Sequence, residues 1–274
     1  MLLMTNRDRF MPDLNRIGLL TSTVLLALAL GRLLPSQGFS LEIRFPILPF
    51  AITLDTSTLM SILTAGLAAT GMDWLLRGHP ALKGRATFQW WFLPTLTTFV
   101  ISAPLSILES SQLWWIGFLI SGVLIFFVFL AEYIVVDPDA PYYTLSIAGL
   151  TAISYTLFFI LAVALNVSGV RLFILLPPLF VASALASLRI LHLWMGSKWH
   201  FAWSLGIGLV MVQLAAGFHY WPLTPAQFGL LLIGPLYALI NFAVNLGENI
   251  SVRRASLEPS LVAALCWGLA IFVR

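Results

Sequence analysis

The sequence predicts an all-α fold: a polytopic bundle of about nine transmembrane helices, or eight if residues 1–29 are a cleaved signal, forming one integral membrane domain over residues 1–274. Three observations predict it. First, 60% of residues are hydrophobic and only 9% charged, against about 25% charged in a typical soluble domain. So few charges cannot cover a surface in water. Second, apolar segments of about 17–24 residues recur, each long enough for a bilayer core of about 30 Å at about 1.5 Å per helical residue. Third, every tryptophan except Trp267 falls near a segment end, where indoles favour the membrane interface.

Residues 1–16 form a basic cytoplasmic tail with Arg7, Arg9 and Arg16. The apolar run 17–34 follows. Its basic start and Ala27-Leu28-Ala29 fit a cleavable signal; apolar residues continuing through Leu34 favour a first membrane helix, with Arg32 reaching back to the interface. Residues 35–57 read as an extracytoplasmic segment. Leu41, Ile43 and Phe45 alternate with Glu42 and Arg44, a strand-like period, while Pro46 and Pro49 oppose a regular helix. An extended or broken interfacial piece is expected. Asp55, Thr56 and Ser57 offer cap oxygens for the next helix.

The second span covers 58–76, with Ala65, Gly66, Ala69, Thr70 and Gly71 at close-packing spacing. The third covers 88–108, carries Pro94 and Pro104, and places Thr98, Ser102 and Ser106 on one face. The fourth, 113–136, is the most apolar and carries a single charge, Glu132. The fifth covers 142–165. The sixth, 172–193, holds Pro177-Pro178 in its first turns and a packing face of Ala182, Ser183, Ala186 and Ser187. The seventh, 201–221, has Ser204 and Gly208 at packing spacing. The eighth, 227–246, is interrupted by Gly234-Pro235, and the last covers 257–273. The single cysteine, Cys266, excludes an internal disulfide and reads as a small packing residue.

Positive charge gathers on the cytoplasmic side of membrane proteins. With the N-terminus inside, the inner loops receive Arg7, Arg9, Arg16, Arg77, Lys83, Arg85, Arg189, Lys198, Arg253 and Arg254. The outer ones receive only Arg32, Arg44, Arg171 and Arg274. This predicts a cytoplasmic N-terminus and an extracytoplasmic C-terminus in the cell membrane. The net charge of +3 is too small to suggest a nucleic-acid partner.

In that orientation the even-numbered helices each end on ionisable residues at similar depth: Asp73, Glu132, Arg189 with His192, and Glu248. Helix eight adds Asn241 and Asn245 on the same stripe, below Tyr237. An ionisable residue within a membrane is a functional candidate by default. The alternative is structural: Asp73 and Arg77 are four apart and can pair, and Glu132 is close enough to its helix end to reach the interface. No phosphate loop and no Gly-x-Ser-x-Gly elbow is present. Asp137-Pro138-Asp139 reads as a turn and helix cap, and His79, His192 and His200 as loop anchors. No catalytic residue, metal site or cofactor is expected.

Gly71-Met72-Asp73-Trp74-Leu75-Leu76-Arg77-Gly78-His79-Pro80, followed by a tryptophan-led third span, resembles a family of uncharacterised prokaryotic multi-pass membrane proteins carrying a domain-of-unknown-function label. That resemblance implies no activity. The leading expectation is a non-catalytic scaffold or accessory subunit, partnered by the lipid bilayer and by another membrane protein. A transporter or channel for a small solute or proton, built on Glu132, Arg189 and the helix-eight stripe, is the alternative; a lipid-modifying enzyme using Asp73 and Glu248 is the third reading.

Overall fold

A computed structural model of the chain describes residues 13–33, 40–44, 51–79, 81–82, 87–108, 111–196 and 199–273. The expected tail arginines Arg7 and Arg9, the turn prolines Pro46, Pro49 and Pro80, and Lys83, Arg85, Lys198 and Arg274 lie outside the described residues. The elements are α1 (Leu14–Leu33), β1 (Ser40–Arg44), β2 (Ala51–Asp55), α2 (Thr56–Arg77), a 3-10 turn (Phe88–Trp90), α3 (Phe92–Ile107), α4 (Ser111–Ile134), α5 (Tyr143–Val167), α6 (Leu172–Trp194), α7 (Phe201–His219), α8 (Pro225–Gly247) and α9 (Val252–Phe272). The fold is an all-α bundle with one small hairpin. Among the described residues, eight helices are long and apolar enough to cross a membrane, which makes the chain a multi-pass membrane protein. The chain divides into two compact units, Met1–Ser146 and Ile147–Arg274.

In the first unit the alternating stretch after α1 forms a strand. β1 pairs antiparallel with β2, from Ser40 opposite Asp55 to Arg44 opposite Ala51. α2 then starts at once, at Thr56. Its buried face is Ala65, Ala68, Met72, Leu75 and Leu76. Small-residue spacing located a close approach but not the helix's rotation: Gly66 and Thr70 are exposed. Gly71 does receive Leu20 of α1. Ile17, Leu20 and Val24 of α1 join this core with Ile101 and Leu105 of α3 and Trp114, Ile125 and Phe129 of α4.

α3 is 16 residues long, about 24 Å, short of a full hydrocarbon span. It nonetheless runs the length of its unit. At one end Trp90, just before α3, packs in the cluster that holds Leu76, Leu82 and Tyr133. At the other, the Leu108 carbonyl just after α3 accepts a hydrogen bond from Arg32 at the end of α1, 3.2 Å away. The 3-10 turn supplies the missing length. Pro94 sits in the first turn of α3, where no intrahelical donor is lost.

The second unit packs through small residues and hydroxyls. Ala182, Ser183, Ala186 and Ser187 of α6 are all buried. Gly208 of α7 lies against Phe180 and Ala184. Ser204 donates to the Ala184 carbonyl and accepts from Ser187, 3.2 Å away. α8 begins two residues before its apolar run because Thr224 and Gln227 form a reciprocal capping box ahead of Pro225.

α8 and α9 are joined by a tight turn. The Ile250 N–H donates to the Asn245 carbonyl and the Asn249 N–H to the Leu246 carbonyl, both at 3.1 Å. Asn249 takes the left-handed conformation, φ 60°. This is the Schellman closure, with asparagine where glycine is more usual. Gly234 lets the helices close further: a Cβ there would stand 3.2 Å from the Ala263 Cα.

Each of these helices carries an internal proline, and each repairs the other's. Pro235 has no N–H, so the Leu231 carbonyl four residues earlier loses its helical partner. The Trp267 indole N–H of α9 donates to that carbonyl at 3.1 Å. This explains the one tryptophan placed away from a helix end. Pro259 of α9 similarly frees the Ala255 carbonyl. The Asn245 side-chain amide of α8 donates to it at 3.4 Å.

Trp267→Phe is therefore expected to destabilise the protein by about 1–3 kcal/mol. In a Pro235→Ala background, where the backbone N–H returns, most of that loss should vanish. Thermal unfolding of the four-member cycle in detergent checks it. Equal costs in both backgrounds would rule the repair out.

Candidate functional site

The sequence points to Asp73, Glu132, Arg189, His192, Asn241, Asn245 and Glu248. Asp73 and Glu132 belong to the first unit and the others to the second.

Asp73 lies four residues before the end of α2. Its carboxylate accepts from Arg77 Nε at 2.9 Å, with the second guanidinium contact at 2.6 Å, and from the Thr87 hydroxyl. Helical i,i+4 spacing brings Asp73 and Arg77 together. Thr87 arrives from the turn before α3. Arg16 of α1 lies over the Trp74 ring, 5.8 Å from its centroid. His79 is buried just past α2, its ring 4.4 Å from that of Tyr133 on α4. The Ala81 backbone N–H donates to His79 Nδ1 at 3.1 Å, which requires that nitrogen to be unprotonated. Glu132 precedes Tyr133 and is fully buried. A carboxylate in that position is held by its surroundings, and Glu132 is not without a partner.

In the second unit Arg189 is 1% exposed and is likewise partnered. His192 stacks on Trp199 at 4.5 Å, and Trp199 on Phe201 at 5.6 Å, so the ring ties the end of α6 to the start of α7. Asn241 donates to the Tyr237 carbonyl at 2.9 Å and reaches the Tyr155 hydroxyl of α5 at 3.5 Å. The Tyr155 and Tyr237 rings lie 5.6 Å apart. Asn245 is engaged with Ala255. Glu248 is the exposed C-cap of α8, on the tight turn into α9. The α8 stripe is real, but its two asparagines face different helices, α5 and α9. Among the described residues no three His, Cys, Asp or Glu side chains are grouped to hold a metal ion.

Sequence reasoning missed a second polar region, at the opposite end of the first unit from Asp73. A cavity of about 390 Å³ opens there between α1, α2, α3 and the start of α4, lined by Arg32, Ser61, Thr64, Ser102, Ser106 and Trp114 among others. The signal was available. Helices one to four alternate in direction, so the end of α1, the start of α2, the end of α3 and the start of α4 must share one layer.

These features define a polytopic helical membrane protein whose polar side chains concentrate at helix ends and across helix pairs. A family model described as "Protein of unknown function (DUF5656)" matches residues 36–273, and the chain belongs to that family. No curated protein and no solved structure matches the chain.

Burial holds the His79 imidazole below its ordinary value, with the Asp137 carboxylate partly opposing that shift. A histidine whose folded pKa is lowered binds fewer protons folded than unfolded, so its stabilisation is present at neutral pH and is lost as pH falls below about 6.5. The stability difference between wild type and His79→Gln should therefore shrink between about pH 7.5 and about pH 5. Parallel profiles in thermal unfolding would refute this.

Proposed function

We propose that the protein is a non-catalytic scaffold or accessory subunit of the cell membrane, with its N-terminus in the cytoplasm and its C-terminus outside. The observation that carries this reading is the engagement of Asn245 with the Ala255 carbonyl that Pro259 leaves without a donor. The residue best placed to begin a polar pathway through α8 is occupied in holding two helices together. Asn241 is occupied in the same way against Tyr155. Asp73 is paired with Arg77 and accepts a hydrogen bond from the Thr87 hydroxyl. A transport pathway needs polar groups that exchange partners with a moving solute, and these are committed to the fold.

Full-length protein reconstituted in proteoliposomes is expected to pass protons at the rate of protein-free vesicles, with no difference in Glu132→Gln. A pH-sensitive dye inside the vesicles reads the flux. A proton flux that the wild type supports and Glu132→Gln abolishes would overturn the proposal in favour of a transporter.

The topology is tested separately. In a Cys266→Ser background, Ser168→Cys on the α5–α6 connection should react with a membrane-impermeant maleimide in intact cells. Asp139→Cys on the α4–α5 connection should react only after the membrane is opened. Both positions are exposed. The reverse pattern would invert the orientation.

A further inference from the structure

We propose that two copies of the chain pair through α7, about a two-fold axis along the membrane normal, with the Gln213 amides bonded to each other. The inference goes beyond the accessory reading and holds in either orientation. Gln213 lies six residues before the end of α7, about 9 Å along the helix axis. Side chains on a helix tilt toward its N-terminus, so this one leans toward the middle of the membrane rather than the nearer interface. It is exposed, and it has no hydrogen-bond partner among the described residues. The amides of Asn241 and Asn245, by contrast, both have partners inside the chain. A lipid tail cannot serve a primary amide, and an amide left bare in hydrocarbon is costly. Glutamine carries both donors and an acceptor, so one amide can satisfy another. All copies insert in one orientation, which places a second Gln213 at the same depth as the first. A different partner would need a polar group at that one level; a second copy has it by symmetry.

The rest of the face is self-complementary. Ala202, Gly206 and Gly217 share the exposed side of α7 with Gln213. A Cβ at Gly206 or Gly217 would meet nothing, whereas one at Gly208, on the buried side, would meet Phe180 and Ala184. Packing within the chain thus accounts for Gly208 but not for the other two, which leave room for another backbone to approach. Val210 and Leu209, three and four residues before Gln213, lie on opposite flanks of it. On the Val210 flank a groove of about 420 Å³ opens between α7 and α8, lined by Ala202, Gly206, Val210, Leu239 and Phe242 among others. On the other flank Leu209 is 56% exposed. A two-fold axis sets each flank against its opposite on the partner. Each copy therefore offers Leu209 to the other's groove.

The test uses the full chain, carrying Cys266→Ser and a fluorophore at Ser168→Cys, in liposomes over a range of protein-to-lipid ratios. Energy transfer between donor- and acceptor-labelled copies reads pairing. Transfer should exceed that of random proximity, and an excess of unlabelled protein should abolish the difference. Gln213→Leu should weaken pairing about tenfold, the loss expected for two amide hydrogen bonds in a membrane. Gly206→Leu, which blocks the close approach but enters open space in the single chain, should weaken it at least as much. Neither should lower the thermal unfolding temperature at the most dilute ratio, where copies are separate. Wild-type transfer no greater than random proximity would overturn the proposal and leave the face to a different membrane protein. Transfer unchanged in either folded variant would overturn it too, by assigning the contact to another face. So would a lowered unfolding temperature for dilute Gln213→Leu, by showing the amide to be held within the chain.

Discussion

A peptide carbonyl in hydrocarbon has no water to turn to, and leaving one without a donor costs several kcal/mol. Helices meet that demand internally until a proline interrupts them. The α8–α9 pair meets it by exchange: Trp267 of one helix serves the carbonyl freed by Pro235 of the other, and Asn245 serves the one freed by Pro259. Neither helix is complete alone. Their separation is set by Gly234 and their connection by the closed turn at Glu248–Ile250, so backbone chemistry, packing and loop geometry all require the same arrangement.

The first unit solves a different problem. Its helices differ in length, from 16 residues in α3 to 24 in α4, and the mismatch must be made up at their ends. At one end the 3-10 turn and Trp90 fill the gap, and Asp73, Arg77 and Thr87 fasten it. At the other, Arg32 reaches the Leu108 carbonyl just past the end of α3, where a cation also suits the helix dipole. There the space is lined but not filled, and the cavity lies beside the end of the shortest helix. The same shortness that keeps α3 below an ordinary span thus leaves this space open between the helix ends.

Much of this architecture was legible in the sequence because hydrocarbon imposes one length and one pattern. Among the described residues nine helices overlap the nine apolar runs, with α3 starting later and α9 earlier than the runs place them, and the α6 face of Ala182, Ser183, Ala186 and Ser187 is buried as expected. Rotation was less legible. Small residues in α2 occur on more than one face, and it is Ala65 and Ala68, on the side that also carries Met72, Leu75 and Leu76, that turn inward. Pairing was the least legible. Pro235 and Pro259 could be read as interruptions, but not which side chain would answer each. The serines and threonines of α2 and α3 lie far apart in sequence, and only antiparallel stacking sets them around Arg32.

This suggests a way to separate structural from ligand-facing polar groups in a membrane helix. The useful question is whether a side chain's partner is a group that the fold itself left without one. Asn245 and Trp267 answer to carbonyls orphaned by proline, so their polarity is explained without any ligand. Asp73 answers to Arg77, four residues along its own helix. The hydroxyls of Ser61, Thr64, Ser102 and Ser106 bond to carbonyls that their helices already satisfy, so backbone need does not account for them. Such hydroxyls are self-contained: they repair no interruption, and by themselves they announce no ligand, since Ser121 and Ser154 bond within their own helices in the same way.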